Sequence, residues 1–420
     1  MHETTSSSAI VFEQLPAMRK SLRIAVVTET YPPEVNGVAM TVAHFIDGLR
    51  RRNHEVQLVR PRQDSGDRAG NQERFHEVLM RGLPIPHYPS LKMGWPAKKS
   101  LEQLWTLHRP DLVHIVTEGP LGWSALQAAL KLKLPVSSDF RTNFHAYSRH
   151  YGIGWLKKPI AAYLRKFHNR TMLTMVPTEA MRSDLASTGF RNLRVVARGV
   201  DTRMFNPARR SDALRASWGA APDDPVIIHV GRLAPEKNLG LLLSAYDAIQ
   251  RRQPRARLVF VGDGPEVTSL RTRCPDAVFT GTHTNEYLAA HYASGDVFLF
   301  PSLTETFGNV TIEAMASGLA VVAYDYAAAA AHIVHGDNGL LAAYDKPEEF
   351  VRLADELIAD PGRIRAFGAA ARQTAEPLDW DRVVAQLEGL FLTVASGGGL
   401  NLLHWDSPHS ATPAARILRS

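Results

Sequence analysis

The sequence predicts an α/β protein with two doubly wound parallel sheets, one in each half of the chain, that face each other across a cleft. Short apolar runs alternate with amphipathic stretches in both halves, which is the β-α-β rhythm of a parallel sheet. The 420 residues suffice for about two to three domains of ordinary size. With 45% hydrophobic and 21% charged residues, the composition excludes a largely disordered chain.

The first half alternates strands and helices from residue 22 onward. A buried strand is predicted at residues 22–28, followed by a loop with Gly37 and a helix over residues 39–51. The later elements of this half are strands at residues 55–59, 112–116 and 135–138 and a helix at residues 122–132. This order predicts a first Rossmann-like domain over residues 21–198, preceded by an N-terminal extension at residues 1–20.

The second half repeats the pattern with clearer turn signals. Its predicted elements are strands at residues 225–230, 257–261, 297–300 and 319–323 and a helix at residues 239–249. Residues 199–201 and 205–207 are interpreted as a linker, so that the second Rossmann-like domain covers residues 199–379. The Gly- and Ser-rich stretch at residues 396–420 predicts a flexible tail.

The net charge of +6 hides a difference between the two halves. Residues 1–199 carry 28 Lys+Arg and 16 Asp+Glu, a balance of +12, whereas residues 200–420 carry 20 and 26, a balance of −6. This asymmetry indicates two domains with different partners. The basic half suits nucleic acid, an anionic membrane or phosphate-bearing ligands, and charge alone does not choose among them.

Targeting signals and cysteine content point to a cytoplasmic protein. The first 17 residues lack a basic region followed by an apolar one, so a secretory signal is not expected, and Met18 is a plausible start. No apolar window is long enough to span a membrane. The single cysteine, Cys274, excludes an intramolecular disulfide framework and a zinc site of several thiolates, and it fits a reducing compartment.

The loop after the first strand offers a candidate anion site. Gly37 precedes a helix, where free N–H groups and the helix dipole favour negative charge. The alternative is an ordinary turn glycine.

The loop after the first strand of the second half offers two cations. Gly231 and Arg232 begin it, and Lys237 follows five residues after the arginine. Two cations facing a cleft can hold a diphosphate and stabilise it as a leaving group. The alternative is a solvated surface loop in which Glu236 balances Lys237.

The strongest signal is a pair of carboxylates eight residues apart. Glu305 lies in the loop after the strand at residues 297–300, and Glu313 lies in the first turns of a helix that Asn309 is predicted to cap. This spacing directs both carboxylates to one ligand, one toward sugar hydroxyls and the other toward ribose hydroxyls. The alternative for Glu313 is that it only complements the helix dipole. Gly308, which permits close backbone approach, favours ligand binding.

Together, these motifs resemble the retaining nucleotide-sugar glycosyltransferases of the GT-B fold, the family with a Glu-x7-Glu motif, including bacterial mannosyl- and glucosyltransferases that act on lipids. The resemblance covers residues 22–394. It implies a nucleotide-diphosphate sugar bound by the second domain, an acceptor bound by the first, and no metal or other cofactor. It also implies that a helix at residues 380–395 returns to the first domain.

The resemblance assigns roles residue by residue. Glu305 is implied to contact the transferred sugar and Glu313 the ribose, while Arg232 and Lys237 hold the phosphates; Glu305, Arg232 and Lys237 are therefore the expected catalytic residues. The remaining expected donor-binding residues are Gly37, Gly231, Phe307, Gly308, Asn309 and Val310.

One departure from the family concerns the acceptor side. Many relatives carry a histidine near the sugar, and this sequence has Arg141 where relatives of this subtype often have it. Glu118, Arg141 and His145 are the acceptor-side candidates, and a structural role for a cleft histidine is the alternative.

The acceptor is predicted to be a membrane lipid such as a diacylglycerol or phosphatidylinositol. Residues 141–170 hold seven Lys/Arg and no acidic residue. Within residues 155–168 an apolar face is flanked by basic residues, a pattern that suits docking on an anionic membrane. The expected location is the inner face of the cytoplasmic membrane. The alternative is that this apolar face packs into the core of its own domain. The candidate contacts are Trp155, Lys157, Lys158, Arg165 and Lys166. Lys92, Lys98 and Lys99 beside Trp95 form a second basic patch.

Several other functions compete with lipid glycosylation. A soluble or polysaccharide-precursor acceptor, a GT-B sugar-nucleotide epimerase and a non-catalytic protein that binds anionic surfaces each account for part of the sequence. Nucleic-acid binding explains the basic half but not the carboxylate pair, and no nucleic-acid motif is present, so no nucleic-acid partner is expected. GDP-mannose, UDP-glucose and UDP-galactose all remain open as donors.

Overall fold

The computed structural model describes residues 20–32, 34, 37–85, 88–141, 157–305 and 307–397. Most of the predicted N-terminal extension and of the predicted tail therefore lies outside the described residues. His145 and Trp155 also lie outside them.

The first sheet is parallel except at one edge. Its strands are β1 (Arg23–Val27), β2 (Glu55–Pro61), β3 (Asn71–Gln72), β4 (Phe75–Met80), β7 (Leu112–Ile115), β8 (Val136–Asp139), β9 (Leu173–Val176) and β10 (Leu193–Val195). They lie in the order β10-β9-β8-β7-β1-β2-β4-β3, and β3 pairs antiparallel with β4. A separate antiparallel hairpin is formed by β5 (Gly82–Ile85) and β6 (Tyr88–Gly94). The central strands are buried along their length because helices cover both faces, which explains their continuous apolar runs.

The described helices of the first domain lie against this sheet or against one another. They are α1 (Gly37–Arg51), α2 (Lys98–Leu107), α3 (Pro120–Lys131), α4 (Lys157–His168) and α5 (Glu179–Ser187). The first of them begins two residues before the predicted start, so that Gly37 is its first residue.

The second sheet is parallel throughout the described pairings. Its strands are β11 (Val226–Val230), β12 (Arg257–Val261), β13 (Val278–Gly281), β14 (Val297–Phe300), β15 (Ala320–Tyr324) and β16 (Leu340–Ala342), in the order β13-β12-β11-β14-β15-β16. The surrounding helices are α6 (Asp212–Ser217), α7 (Leu239–Arg252), α8 (Val267–Arg273), α9 (Asn285–Ser294), α10 (Asn309–Ala316), α11 (Ala327–His332), α12 (Pro347–Ile358) and α13 (Pro361–Ala375). Short 3₁₀ turns occupy Pro207–Arg209, Pro235–Lys237 and Glu376–Leu378. The predicted fold class, two α/β domains with parallel sheets, is confirmed.

The chain crosses between the domains twice, at two adjacent points. The backbone N–H of Val200 donates to the carbonyl of Leu378 at 2.9 Å, so the two crossings are hydrogen-bonded to each other. The predicted linker is not a solvated segment, because Val200 and Phe205 are buried in the core of the second domain.

The last helix, α14 (Trp380–Ala395), packs on the first domain. Its apolar residues recur every three or four positions and lie against α1 and the first sheet. Val384 packs directly on Gly48, and Arg52 and Glu388 form an ion pair of 2.8 Å across the same contact. This packing returns α14 to the first domain.

Candidate functional site

The strand order of the second sheet creates a crevice between two loops. Strands β11 and β14 are neighbours, while the chain runs outward from them to β12 on one side and to β15 on the other. Ligands of open α/β sheets bind at such a switch point, outside the carboxyl ends of the strands. The loops that leave β11 and β14 there, residues 231–238 and 301–308, contain most of the expected donor-binding residues.

A neighbouring glycine-rich turn holds the first of these loops in place. Gly231 N–H donates to Val261 O at 3.0 Å, and Leu233 N–H donates to Asp263 O at 2.9 Å. Gly262 has a φ of +143°, and a Cβ at this position would lie 1.9 Å from Gly231 O. The turn at residues 262–265 therefore supports the loop through backbone contacts that a side chain would prevent.

Lys237 and Glu305 are brought together across the crevice. The Lys237 ammonium donates to Glu305 Oε1, and Ser302 Oγ donates to the same oxygen at 2.7 Å. The lysine Nζ also lies 5.6 Å from the centre of the Phe300 ring. Both charged side chains are largely buried, so their attraction is screened much less than that of a surface pair.

Arg232 occupies a different environment from Lys237. Its side chain is 69% exposed, and its guanidinium lies 3.9 Å from Glu236, which gives a weak surface ion pair. Gly231, the residue before it, has a φ of +142°. Arg232 is therefore at the rim of the crevice, with a long side chain that is not held by tight contacts.

The start of α10 differs from the prediction at Asn309. The residue that caps this helix is Gly308, which has a left-handed backbone with a φ of +92°. Asn309 is the first helical residue, and its Oδ1 accepts a long hydrogen bond of 3.4 Å from Arg198 instead of capping the helix. The capping prediction was wrong because the glycine supplies a conformation that removes the asparagine side chain from the capping position. Phe307 is buried beside Gly308, and Val310 packs against the core of the second domain.

Glu313 lies one turn into α10 and faces a buried tyrosine. Tyr292 of α9 donates its hydroxyl to Glu313 Oε2 at 2.9 Å. Burial raises the pKa of Glu313 to about 7, although the tyrosine hydrogen bond opposes this shift. The carboxyl is therefore poised to change its charge near neutral pH.

The acceptor-side candidates already have partners within the first domain. Glu118 is buried, and its Oε1 is 3.1 Å from Nε2 of His168. Arg141 is 1% exposed and donates from Nε to Asp139 at 2.8 Å. His145 lies outside the described residues. Glu29, which the sequence did not single out, lies beside Glu118 and accepts from the Leu121 N–H at 3.0 Å, and burial raises its pKa to about 7.

Arg198 is the main site residue that the sequence reasoning missed. It follows β10, is 3% exposed, and reaches the start of both α1 and α10. A Cβ on Gly37 would lie 2.6 Å from Arg198 Nη1. The available signal was an arginine that follows the apolar run at residues 195–197, three residues after the end of β10.

The basic helix α4 packs part of its predicted apolar face into its own domain. Leu164 and Phe167 are buried in the cores of the first domain, whereas Tyr163 on the same face is 38% exposed. Lys158, Arg165 and Lys166 are exposed on its outer side. The side chain of Lys157 is outside the described part of the chain, as is Trp155.

The described side chains and helices also bear on metal binding and on membrane spanning. Within the described ranges, no three His, Cys, Asp or Glu side chains gather in a way that could hold a metal ion. None of the helices that the structure describes combines the length and apolar character needed to cross a membrane.

Comparison with family models covers both domains. The model described as "Glycosyltransferase Family 4" matches residues 35–204, and the model described as "Glycosyl transferases group 1" matches residues 224–360. The first matched segment contains strands β2–β10 and helices α1–α5, and the second contains strands β11–β16 and helices α7–α12.

Curated proteins match the chain over most of its length. A GDP-mannose-dependent alpha-mannosyltransferase of Mycolicibacterium smegmatis is 36% identical over 381 residues, which is 89% of this chain and 98% of that protein. Sulfoquinovosyl transferase SQD2 of Arabidopsis thaliana is 34% identical, over 87% of this chain and 72% of that protein. An alpha-monoglucosyldiacylglycerol synthase of Acholeplasma laidlawii is 24% identical, over 88% of this chain and 97% of that protein.

Solved structures share the arrangement of both domains. Sucrose-phosphate synthase from Thermosynechococcus elongatus superposes with a TM-score of 0.71 at 17% identity, over 90% of this chain and all of that chain. HepE of Anabaena in complex with UDP gives a TM-score of 0.70 at 18% identity, over 88% of this chain and all of that one. At this level of identity the likeness is one of fold.

Proposed function

The chain belongs to the glycosyltransferases of group 1 and family 4, and we propose that it transfers a hexose from a nucleotide-diphosphate sugar to a membrane lipid. The observation that carries the proposal is the contact between Lys237 and Glu305 beside the start of α10, at the switch point of the second sheet. It combines a cation for the diphosphate with a carboxylate for sugar hydroxyls. GDP-mannose is the donor to test first, because relatives at 36% and 34% identity are named as GDP-mannose-dependent.

The proposed reaction retains the configuration of the sugar and uses no bound metal. The C1–O bond to the distal phosphate breaks, and its electron pair remains on the phosphate oxygen. The acceptor oxygen forms the new bond to C1 on the same face, and its proton passes to that phosphate oxygen. Lys237 and Arg232 stabilise the charge that develops on the diphosphate, and Glu305 positions the sugar.

A transfer assay tests this proposal directly. The purified chain is incubated with membrane lipid extract and one radiolabelled donor at a time: GDP-mannose, UDP-glucose or UDP-galactose. We expect one label to enter the organic phase and to appear there as a glycolipid. Label that appears only in water-soluble products would indicate a soluble acceptor, and interconversion of donors without an acceptor would indicate an epimerase; either result overturns the lipid proposal.

Donor affinity is expected to fall as the pH decreases through 7. Ribose hydroxyls donate to an ionised Glu313, and because its pKa is raised to about 7 the carboxylate form predominates only above that pH. GDP-mannose should therefore bind about tenfold more weakly at pH 6 than at pH 8. The nucleotide sugar is the appropriate ligand because both of its phosphates are esterified and do not titrate in this range, unlike a terminal phosphate with a pKa of about 6.

Two variants identify the titrating group in that experiment. Glu313→Gln should bind GDP-mannose weakly at both pH values and lose the dependence. Glu29→Gln removes the other carboxyl whose pKa burial raises to about 7, and it should retain the dependence. A pH dependence that follows Glu29 instead of Glu313 would contradict the ribose assignment.

We also propose that the exposed basic side of α4 brings the first domain to an anionic membrane. Since Leu164 and Phe167 of this helix are buried, the proposed attraction is electrostatic and needs no insertion of these two side chains. Each Lys or Arg close to an anionic surface contributes about 1 kcal/mol. Replacing Lys158, Arg165 and Lys166 with glutamine should therefore weaken binding to phosphatidylglycerol vesicles by about 100-fold.

A sedimentation assay with a matched control checks this prediction. The control replaces Arg251, Lys346 and Arg365, three exposed basic residues of the second domain, with glutamine and changes the net charge equally. It should bind phosphatidylglycerol vesicles almost as well as the unmodified chain. Equal binding by both triple variants would show that α4 does not face the membrane.

A further inference from the structure

Arg198 is a buried cation without a carboxylate partner among the described residues. Its side chain lies between the two domains, 3% exposed. Among the described residues, it donates a long hydrogen bond of 3.4 Å to Asn309 Oδ1, and its guanidinium carbon lies 5.5 Å from the centre of the Phe307 ring. Its Nε is buried and has no hydrogen-bond partner in the part of the chain that the structure describes. These contacts offset only a small part of the free-energy cost of removing a guanidinium from water.

The charges around Arg198 leave a positive excess. Asp139 is fully buried and accepts from Arg141 at 2.8 Å, so this carboxylate already has a cation. Burial opposes ionisation of Asp139, but Arg141 and His114 outweigh it and lower its pKa, so it stays charged. Glu305, which also faces Arg198, is bonded to Lys237. Burial and the like charge of Arg141 lower the pKa of Arg198 to about 9, so the guanidinium is protonated at neutral pH.

Two helices begin next to this guanidinium. Helix α1 begins at Gly37, whose Cα side faces Arg198 Nη1, and α10 begins at Asn309. The start of a helix carries a partial positive charge and free N–H groups. The Arg198 guanidinium and the two helix starts all carry positive charge at one place. A bound anion would neutralise this charge and accept hydrogen bonds from these groups.

We propose that Arg198 binds the distal phosphate of the nucleotide diphosphate, the phosphate that carries the transferred sugar. This inference rests on the proposed function. The donor is favoured over an anionic acceptor because the contacts of Arg198 with the second domain, Asn309 and Phe307, lie at the start of α10, next to the loop that carries Glu305. Lys237 and Arg232 would then act from the second domain and Arg198 from the first. The diphosphate is thereby bound by cationic side chains of both domains.

The proposal predicts a selective loss of diphosphate affinity. Binding of GDP, GMP, UDP and UMP is measured by calorimetry at pH 8 for the unmodified chain and for Arg198→Met, which keeps an apolar stem over Phe307. A hydrogen bond to a charged group contributes about 1.5–3 kcal/mol, so the affinity for the preferred diphosphate should fall about 10- to 100-fold. The affinity for the matching monophosphate should change by less than about twofold, because the missing contact is to the distal phosphate.

Three controls separate this role from a structural one. Arg203→Gln removes a positive charge five residues away, at a side chain that is 86% exposed, and should leave both affinities unchanged. Arg198→Lys keeps the charge without the fork and should retain part of the preference for diphosphate. The melting temperature of ligand-free Arg198→Met should equal or exceed that of the unmodified chain, since a buried uncompensated charge is removed.

The outcomes distinguish this inference from the proposed function. If the unmodified chain binds a nucleotide but Arg198→Met keeps the same ratio of diphosphate to monophosphate affinity, or loses both equally, the role of Arg198 is overturned and the proposed function stands. If the unmodified chain binds none of the four nucleotides, the proposed function itself fails.

Discussion

Glu305→Gln is expected to lower kcat/KM for sugar transfer by about 100- to 1000-fold, the usual loss when one preorganised polar contact to the reacting group is removed. The substitution keeps the shape of the side chain and the hydrogen bond that Ser302 donates. It removes the charge that Lys237 contacts and that sugar hydroxyls would meet. The measurement is steady-state transfer with the donor identified in the lipid-extract assay.

The pair of Glu305 and Lys237 can be tested as a unit. Lys237→Met should reduce transfer to a similar degree, and the double variant should lose less than the product of the two single effects, because the residues are in direct contact. Glu356→Gln is the matched control, since it breaks an exposed ion pair with Arg352 in the same domain. If the Glu305→Gln variant keeps a kcat/KM within threefold of that of the unmodified chain, the assignment of Glu305 to the site is wrong.

Gly262→Ala is expected to be the most destabilising small substitution near the crevice. A Cβ at this position would lie 1.9 Å from Gly231 O, and the φ of +143° is one that side chains rarely adopt. Overpacking costs about 1–3 kcal/mol and a strained backbone about 1–3 kcal/mol more. We therefore expect a loss of about 2–6 kcal/mol in the free energy of unfolding of the second domain, with displacement of the loop at residues 231–238.

Two other glycines separate the contributions in a denaturation series. Gly281 has a φ of +78°, but no described atom lies within 4 Å of a Cβ at this position. Its alanine variant therefore measures only the cost of the backbone conformation. Gly389 is exposed within α14, with no atom near its Cβ position, and its alanine variant should be slightly more stable than the unmodified chain. If Gly262→Ala lowers the free energy of unfolding no more than Gly281→Ala does, the close contact between position 262 and Gly231 O does not contribute to the destabilisation.

Much of the fold was accessible from the sequence because parallel strands buried on both faces are continuous apolar runs. The strands at residues 226–230, 257–261, 297–300 and 320–324 were predicted within one residue at either end. The two-domain fold and the resemblance to GT-B glycosyltransferases are both confirmed by the comparisons.

The sequence was less informative about side chains whose roles depend on distant residues. Asn309 was expected to cap α10, but Gly308 takes that position and Asn309 contacts Arg198, which is 111 residues away in the chain. The sequence left the apolar face of α4 with two alternatives, a membrane or the domain core, and the structure places Leu164 and Phe167 in cores of their own domain while Tyr163 is 38% exposed. An amphipathic pattern reports that a face is covered, and it does not report what covers it.

The sequence by itself determined the alternation of the main buried strands with helices, the resemblance to the family, and the spacing of Glu305 and Glu313, because these follow from local periodicity and from motifs within a few residues. Only the tertiary structure decided which charges meet. It placed Lys237 on Glu305, set Tyr292 against Glu313 and buried Arg198 between two helix starts, with no carboxylate bonded to it among the described residues. The reason is that the energy of a buried charge depends on all neighbours within a few ångströms, and those neighbours come from separate parts of the chain.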